Sequence, residues 1–421
     1  MATPNIVPRA NGEGSIGTIT KHWDGLYTNN GHITNRLMAG TIETSGDVSA
    51  GGKLMAGTIE TSGDVSLGGK TLLQFIIQSR STYYARPDIF KVNKTVITIP
   101  KDLQVNIGGT GYYTQAETTV QLSTVGNAAA RAGKDVYLYA CQPASGTTPV
   151  FVLSLNSTVP SGYTADNSRK IGGFHCLCVD VGTISGHTLS GYAAGDIIPN
   201  SQWDLLHRAV SANEGMVWIP GIGKWVDIYL CTLVNGKLAS TFGGIIADGA
   251  SSIKFNGEKF AEELGKLGKR LLWRDEFIVV AKGSNEETNI AGSTDPNTAG
   301  GHKDTAGRRM ISNYGLEDCC GVLWQWLADV MDSYNGSGTS WNSNNFYLDG
   351  YSWQTKSVYN PDIDDRSYGS CLGLLRRVLA GAGWADGSAC GSRASACRNF
   401  SSRSWSYRGC RGASEPRVVN L

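Results

Sequence analysis

Gly381 to Gly412 read GAGWADGSACGSRASACRNFSSRSWSYRGCRG, and this stretch is the most informative one for the fold of the C-terminal part of the chain. Glycine, serine and arginine dominate it, and Lys, Glu, Gln and Met are absent from residues 381–414. One interpretation is a structural tail of chance composition. The placing of Gly387, Gly391 and Gly409 favours tight turns and close approach of the backbone. We therefore expect a folded domain rich in loops.

Helical spacing precedes this stretch. Phe260, Leu264 and Leu267 recur at i, i+4 and i+7 between charged residues, which predicts one apolar face of a helix. Further on, apolar residues of 322–330 repeat at i, i+1, i+4, i+5 and i+8, and Glu317 and Asp318 precede them. Carboxylates in a first turn suit the helix dipole, so this pattern predicts a second helix after the loop at 313–315.

Two blocks of the sequence carry a family resemblance. Residues 308–318 read RRMISNYGLED and lead to GVLWQW at 321–326, similar to the RxISNxGxxDxxGNVWEW pattern of the formylglycine-generating-enzyme-like branch of the C-type-lectin fold. Residues 383–393 and 409–412 resemble the GGNWNNGxxxGSR…GxRG C-terminus of variable proteins of diversity-generating retroelements. The resemblance covers about residues 271–421 and implies a C-type-lectin-like domain whose binding loops are hypervariable.

The resemblance also implies which side chains vary and bind the receptor. In that family, adenines of Asn codons are mutated, and such changes cannot yield Lys, Glu, Gln, Met or Trp. The positions expected to vary are Gly383, Ala385, Asp386, Ala389, Ala396, Arg398, Asn399, Phe400, Arg403 and Tyr407. Arginines and aromatic residues are the usual energetic anchors of an interface, so Arg398, Arg403 and Tyr407, with Phe400 beside them, are the best candidates.

A fixed scaffold is expected between the variable positions. Its members, by the same resemblance, are Trp384, Gly387, Gly391, Arg393, Trp405, Gly409 and Arg411. Arg393 and Arg411 are expected to clamp loop carbonyls or carboxylates through their fork-shaped guanidinium groups. Direct contact of these two arginines with a ligand is the alternative.

A repeat marks the N-terminal region. Residues 37–49, LMAGTIETSGDVS, recur unchanged at 54–66, a period of 17 residues. One copy cannot bury its own apolar residues, so stacked copies or three chains wound into a homotrimer are expected. A flexible linker, the alternative, needs no recurring Met, Ile and Val. Upstream, GEGSIGT at 12–18 and KHWDGLY at 21–27 resemble a pattern that precedes shaft repeats in phage tail fibres, which implies contact with other tail proteins.

The region between the repeat and the C-terminal domain is β-type. Runs at 96–99, 136–139, 149–153 and 226–230 are separated by Gly, Ser, Asn and Pro clusters, which predicts a β-rich middle domain with one or two short helices. The fold class is thus multidomain and mainly β with an α+β C-terminus. Its predicted parts are a repetitive β shaft (1–75), the middle domain (76–250) and a C-type-lectin-like domain (251–421).

The composition of the chain disfavours several classes of partner and cofactor. Charged residues make up 17% of the chain and the formal net charge is +1, which favours neither a nucleic-acid partner nor a membrane surface. The apolar runs are too short for a membrane span and the N-terminus does not resemble a signal peptide, so synthesis in a host cytoplasm is expected. Ten cysteines without a CxxC pair indicate buried free thiols, with no metal or cofactor. Asp362, Asp364 and Asp365 are interpreted as solvated loop charge, with a cation site as the alternative.

Three other functions are compatible with a C-type-lectin-like domain. An oxidase-like enzyme of the formylglycine-generating type would need a reactive Cys pair holding copper, but Cys390 and Cys397 fall in or beside the variable stretch. The signatures of calcium-dependent sugar binding are absent. A bacterial or prophage-encoded surface-displayed binding protein would need an export signal. The hypothesis is therefore a non-enzymatic tail-fibre tip protein of a phage virion, which binds a host-cell receptor, protein or glycan, and permits tropism switching.

Overall fold

The computed structural model describes residues 66–67, 70–71, 90–332, 346–348, 351–353, 375–397 and 401–417. These residues belong to one compact unit that begins at Ser66. The N-terminal motif, the 17-residue repeat up to residue 65, the acidic group Asp362, Asp364 and Asp365, and residues 398–400 lie outside the described residues. Two short strands, β1 (Ser66–Leu67) and β2 (Lys70–Thr71), pair antiparallel where the repeat ends.

Residues 90–204 form a β-rich region, as the middle of the sequence predicts. Its elements are β3 (Lys91–Asn93), β4 (Val96–Ile99), β5 (Gln104–Ile107), β6 (Thr110–Tyr113), β7 (Thr118–Gln121), α1 (Ala128–Arg131), β8 (Asp135–Cys141), β9 (Val150–Ser154), β10 (Ser168–His175) and β11 (Trp203–Asp204). The strands form a three-stranded sheet β3-β4-β7, a hairpin β5-β6 and an antiparallel sheet β11-β10-β8-β9. Alternating burial along β4 and β5 supplies apolar side chains to a shared core.

The remaining elements build the C-terminal region. They are β12 (Met216–Ile219), β13 (Lys224–Asp227), β14 (Thr232–Val234), β15 (Lys237–Ala239), α2 (Gly257–Lys266), β16 (Arg270–Leu271), α3 (Arg274–Val280), β17 (Trp324–Asp332), β18 (Phe346–Leu348), β19 (Tyr351–Trp353), β20 (Leu375–Gly381), β21 (Gly391–Ala396), β22 (Arg408–Gly409) and β23 (Gly412–Ser414). Two sheets matter for function, β12-β13-β23-β16 and β21-β20-β17-β22. The first joins residues on both sides of position 250, where we predict a domain boundary; that boundary stays a prediction.

Helix α2 confirms the first helical prediction. Its N-cap Asn256 accepts a hydrogen bond from the Lys259 N–H at 2.8 Å, which satisfies a main-chain donor of the first turn. Phe260 and Leu264 are fully buried, and Leu267 follows directly as the C-cap residue. The helix therefore packs on the core through the face that the spacing predicts.

The second helical prediction is wrong, because residues 324–332 form strand β17. Trp326 packs in one apolar cluster with Leu379, and Leu327 packs in another with Val378, so both faces of the strand are buried. The register against β20 shifts between Trp326 and Val330. A two-faced strand with such an irregularity places apolar residues in adjacent pairs, and that pattern imitates a helix.

The two carboxylates predicted for a first helical turn have other partners. Arg309 Nη2 donates to both carboxylate oxygens of Glu317, at 2.7 and 2.8 Å, and both side chains are 1% exposed. Asp318 has a φ of +57° and accepts hydrogen bonds from the Gly300 N–H at 2.7 Å and from His302 at 3.0 Å. Buried charges need such partners, so this cluster fixes the main chain at 300–318.

A polar contact joins the first region to the second. The Asp135 carboxylate accepts hydrogen bonds from His175 Nδ1 at 2.9 Å and from the Gly215 N–H at 3.0 Å. The other ring nitrogen of His175 lies 3.0 Å from the Tyr229 hydroxyl.

Within the described part of the chain, no helix is long and apolar enough to cross a membrane.

Candidate functional site

The predicted variable stretch starts at the end of β20, passes through a loop and a 3₁₀ turn at Gly387–Ala389, and continues along β21. Residues 401–407 then lead into β22, which pairs with β17 in parallel. The described part of the stretch thus comprises two loops at the two edges of one sheet. Three predicted positions, Arg398, Asn399 and Phe400, lie outside the described residues.

The first loop is held by hydrogen bonds to its main chain. Gly381 and Ala382 have φ values of +87° and +67°, so the chain turns sharply as β20 ends. The Asp386 carboxylate then accepts a hydrogen bond from the Gly383 N–H at 2.7 Å. Asn289, outside the variable stretch, donates a side-chain hydrogen bond to the Trp384 carbonyl, and the Glu287 N–H donates to the Cys390 carbonyl at 2.8 Å.

The second loop, 401–405, is held in the same manner by residues 249–257. The Gly257 N–H donates to the Ser401 carbonyl at 2.8 Å, and the Gly249 N–H donates to the Trp405 carbonyl at 3.2 Å. The Asn256 side chain donates to the Ser402 carbonyl at 3.2 Å. A Cβ atom on Gly249 would lie 1.9 Å from the Trp405 main-chain nitrogen, so this close approach requires glycine.

Three half-buried aromatic rings join the two loops, and we call them the aromatic row: Trp384, Tyr407 and Trp405. The Tyr407 ring lies 6.1 Å from that of Trp384 in a T-shaped arrangement and 5.0 Å from that of Trp405. Arg408 is fully buried beneath the row, with its guanidinium carbon 4.0 Å from the Trp405 ring centroid. The exposed Arg403 lies 5.5 Å from that same centroid. Both contacts are in the range of cation–π attraction.

The predicted variable side chains differ in exposure. Ala385, Asp386, Ala389 and Arg403 are exposed, and Ala396 and Tyr407 are half-buried. Gly383 is buried, and a Cβ atom there would lie 3.4 Å from both Trp324 and Asp386, an ordinary contact distance. A small side chain therefore fits at Gly383, whereas larger ones must displace a neighbour.

The predicted scaffold residues are placed as follows. Arg411 is buried and donates to the main-chain oxygens of Asp227, Ile228 and Glu317 and to the Gln325 side chain. The Arg393 side chain is exposed, and its carbonyl accepts a hydrogen bond from Arg274 at 2.7 Å. Arg411 thus holds main-chain carbonyls, whereas the side chain of Arg393 faces solvent, and the roles assigned to both arginines stay predictions.

The predicted scaffold glycines differ in the space that is available at their Cβ positions. A Cβ atom on Gly391 would lie 2.1 Å from Glu286 Oε2, and one on Gly409 would lie 3.3 Å from Leu323. Gly387 has open space around it but a φ of +52°, which favours glycine for its backbone conformation. Sequence reasoning missed Arg408, Asn289 and Gly249, since none carries a local signal of its distant partner.

A groove of about 440 Å³ opens beside β21. Its lining includes Ser395 and Cys397, which flank the predicted variable residue Ala396. Arg274 donates to the Ser395 hydroxyl at 2.6 Å, and Trp273 and Val330 leave apolar surface exposed at its rim. The groove adds concave surface next to the C-terminal end of β21.

Cysteine thiols and metal-ligating groups are the candidates for reactive chemistry in the described part of the chain. Nine free cysteines lie among the described residues, and eight of them are buried. Burial raises the pKa of the Cys390 thiol to about 12, which disfavours the reactive thiolate at neutral pH. In the described ranges, no group of three His, Cys, Asp or Glu side chains is arranged to hold a metal ion.

Comparisons with known proteins agree with this geometry. A family model described as the Mtd second domain matches residues 88–204. The "Tail fiber receptor-binding protein" of Bordetella phage BPP-1 is 28% identical over 309 residues, which cover 68% of this chain and 72% of that protein. Among solved structures, the Major Tropism Determinant P3c variant is 25% identical with a TM-score of 0.63, covering 85% of this chain and 92% of its own. The U1 variant is also 25% identical, with a TM-score of 0.62 and coverages of 84% and 90%.

The chain is therefore similar to receptor-binding proteins of phage tail fibres, and the resemblance seen in the sequence is confirmed. More particularly, residues 88–204 match the family model of the Mtd second domain, and most of the chain is similar to the variants of the Major Tropism Determinant. The predicted fold class, mainly β with a C-type-lectin-like C-terminus, is confirmed as well.

Proposed function

We propose that this chain is the tip protein of a phage tail fibre and binds a host-cell surface receptor through its C-terminal C-type-lectin-like domain. The related protein of Bordetella phage BPP-1 is named a tail-fibre receptor-binding protein, and the related structures are named tropism determinants. Adsorption to the host, and a change of host when the variable loops change, follow from this function.

The proposal rests on one observation: the residues that hold the main chain of the loops are separate from the residues whose side chains face solvent. Residues outside the variable stretch, namely Asn289, Gly249 and Gly257, hold the main chain of the two loops. Arg403 and Ala385 direct their side chains to solvent. Substitution of an exposed side chain usually changes stability by less than ~0.5 kcal/mol, whereas an interface anchor contributes ~2 kcal/mol or more. Such loops can change their ligand and keep their fold.

We propose that a diversity-generating retroelement makes these changes. The absence of Lys, Glu, Gln and Met from residues 381–414 supports this origin, since adenine mutation of Asn codons cannot produce them. Sequencing the neighbouring DNA tests it. A near-identical copy of the 3′ end beside a reverse-transcriptase gene, with differences confined to adenines, is expected. Differences scattered over all four bases would contradict the proposal.

We further propose that the protein is a homotrimer within the virion, attached to other tail proteins through its N-terminus, and is not an enzyme. The 17-residue repeat supports a shaft, and several copies on one particle would raise avidity by ~10²–10⁴. Deleting residues 37–53 should shorten the fibre in electron micrographs and leave the thermal transition of the C-terminal domain unchanged. Loss of that transition would contradict the shaft.

Replacing Arg398, Arg403 and Tyr407 together by Ala tests receptor binding. Adsorption to the host should fall by at least about 30-fold, because anchors of ~2 kcal/mol or more are lost, while the protein still folds and assembles. The matched control is Lys266→Ala on α2, where the side chain is 57% exposed and outside the variable stretch. Normal adsorption by the triple variant would overturn the site assignment.

A further inference from the structure

Two buried thiols lie against each other behind the variable loops. The Sγ atoms of Cys231 and Cys410 are 3.5 Å apart, and the two residues are 1% and 0% exposed. Both belong to the apolar cluster that also contains Trp326 and Leu379. Cys231 directly precedes β14, and Cys410 lies between β22 and β23.

The main chains of the two residues are also paired. The Cys231 N–H donates to the Cys410 carbonyl at 2.8 Å, and the Cys231 carbonyl accepts from the Ala247 N–H at 2.8 Å. Neighbouring hydrogen-bonded segments hold their Cα atoms about 4.5–5.5 Å apart, inside the ~4.4–6.8 Å range of disulfides. A covalent bond between the sulfur atoms would need a closing movement of about 1.5 Å.

We propose that Cys231 and Cys410 form a disulfide bond when the protein meets an oxidising medium outside the host cell. The oxidant is a small-molecule disulfide such as oxidised glutathione. One cysteine thiolate attacks a sulfur of the oxidant, forms a mixed disulfide and releases one glutathione thiolate. The second cysteine thiolate then attacks the protein sulfur of that mixed disulfide and releases the other glutathione. The two protein thiols lose their protons to solvent, and the oxidant is reduced to two thiols.

Other buried cysteines differ from this pair in what their sulfur atoms contact. Cys178 Sγ lies 3.4 Å from a Glu317 carboxylate oxygen, Cys319 Sγ lies 3.8 Å from the Leu316 carbonyl, and Cys390 Sγ lies 3.5 Å from the Gly383 carbonyl. Sulfur atoms that face protein oxygens must rotate away before they can react with a thiol. The Cys231–Cys410 pair already has its two sulfur atoms in contact.

Burial sets the rate of this reaction. The pKa of the Cys410 thiol is raised well above its ordinary value, first because the group is buried and then because Cys231 lies beside it. The thiolate is therefore scarce in the folded protein and a bulky oxidant cannot reach it directly. Oxidation should be slow in the native state and faster when the segment 408–414 opens transiently.

The disulfide bond would fix the strands that precede and follow Cys410. Cys410 follows Arg408 and Gly409 of β22, which pairs with β17, and precedes β23, which pairs with β13. A bond to Cys231 would tie the junction of these two sheets to a residue 179 positions earlier in the chain. Bridging such a long segment restricts the unfolded chain strongly, so the oxidised protein should be the more stable form.

Peptide mapping tests the bond directly. The intact protein is treated with oxidised glutathione, unfolded with N-ethylmaleimide present, and digested with trypsin. Cleavage after Lys224, Lys237, Arg408 and Arg411 gives peptides 225–237 and 409–411, each with a single cysteine. We expect these two peptides linked, with a mass lower by two hydrogen atoms than their sum. Recovery of both as maleimide or glutathione adducts, in native and in oxidatively refolded samples, would overturn the proposal.

Thermal unfolding supplies a second readout. The oxidised protein should unfold at a temperature higher by about 5 °C or more, and a reductant should abolish the difference. Cys410→Ser should lose this response to reductant, whereas the control Cys397→Ser, at a half-exposed cysteine, should keep it. An equal melting temperature with and without reductant would count against the bond, even if Cys410→Ser failed to fold.

Discussion

Arg411 donates a hydrogen bond from Nη2 to the main-chain oxygen of Glu317 at 2.6 Å, across 94 positions of sequence. The same side chain donates to the carbonyls of Asp227 and Ile228, both at 3.0 Å. One guanidinium group thus ties β23 to the end of β13 and to the buried acidic segment at 317–318. The main chain that leads into β23 is thereby fixed to two distant parts of the sequence.

Arg411→Ala should therefore destabilise the protein strongly. The change leaves buried carbonyl groups and the Gln325 amide without their donor, and we expect a loss of ~3 kcal/mol or more in the free energy of unfolding. Arg411→Lys should recover only part of this free energy of unfolding, because an ammonium group lacks the planar set of donors of a guanidinium group. Chemical denaturation measures the free energy of unfolding of both variants.

The matched control is Arg393→Ala, at the other predicted clamp. Its side chain is exposed, so the free energy of unfolding should change by less than ~0.5 kcal/mol. If Arg393→Ala destabilised the protein as much as Arg411→Ala, both arginines would be structural and Arg393 would no longer be open to a ligand.

Local patterns predicted part of this fold, and distant partners account for the rest. The spacing of Phe260 and Leu264 predicted α2 correctly, because one helical face buries both residues. The similar spacing around Trp326 belongs to a strand that separates two cores, and no local pattern reveals a second core. The clamp of Arg411 followed from a family resemblance, whereas its partners at 227 and 228 could be seen only in the fold.

The residues of the candidate site were likewise predicted only in part from the sequence. The resemblance placed Trp384, Trp405 and Tyr407 in the site, and the structure brings their rings together. It did not predict Gly249, whose only distinction is a close approach to a residue 156 positions later, nor the burial of Arg408 beneath the rings. Such roles depend on tertiary geometry, which a single sequence does not contain.

Gly249→Ala should weaken receptor binding although Gly249 is buried. Its Cβ atom would lie 1.9 Å from the Trp405 main-chain nitrogen and 2.4 Å from the Ser404 carbonyl carbon, so the second loop must move. We expect a loss of ~1–3 kcal/mol in stability and displacement of Trp405 from Tyr407. Adsorption assays and the fluorescence of the protein's tryptophans check the two effects.

Gly265→Ala on α2 is the control for this substitution. Apart from its chain neighbours and the backbone of its own helix, no heavy atom lies within 4 Å of its Cβ position, so alanine should keep or raise stability, by ~0.5–1 kcal/mol, and leave adsorption unchanged. Normal adsorption by Gly249→Ala would show that the second loop does not determine binding.

The His302–Asp318 pair should make stability depend on pH. Burial by itself lowers the pKa of His302, but attraction to Asp318 and the hydrogen bond to it outweigh burial, and the pKa is raised. A raised pKa means that the folded state holds the proton more tightly than the unfolded chain. The stabilisation is therefore fully present below about pH 6.5, the unfolded value, and is lost as pH rises through the folded pKa.

Melting temperatures measured from about pH 5.5 to about pH 9 check this slope, with His302→Gln as the variant that cannot ionise. We expect the decline above about pH 6.5 to shrink in His302→Gln. His187 acts in the opposite sense, because burial lowers its pKa, so its effect is a loss of stability as pH falls below about 6.5. That acid-side loss should be the same in both proteins. If His302→Gln showed an undiminished decline above about pH 6.5, groups other than the His302–Asp318 pair would cause it.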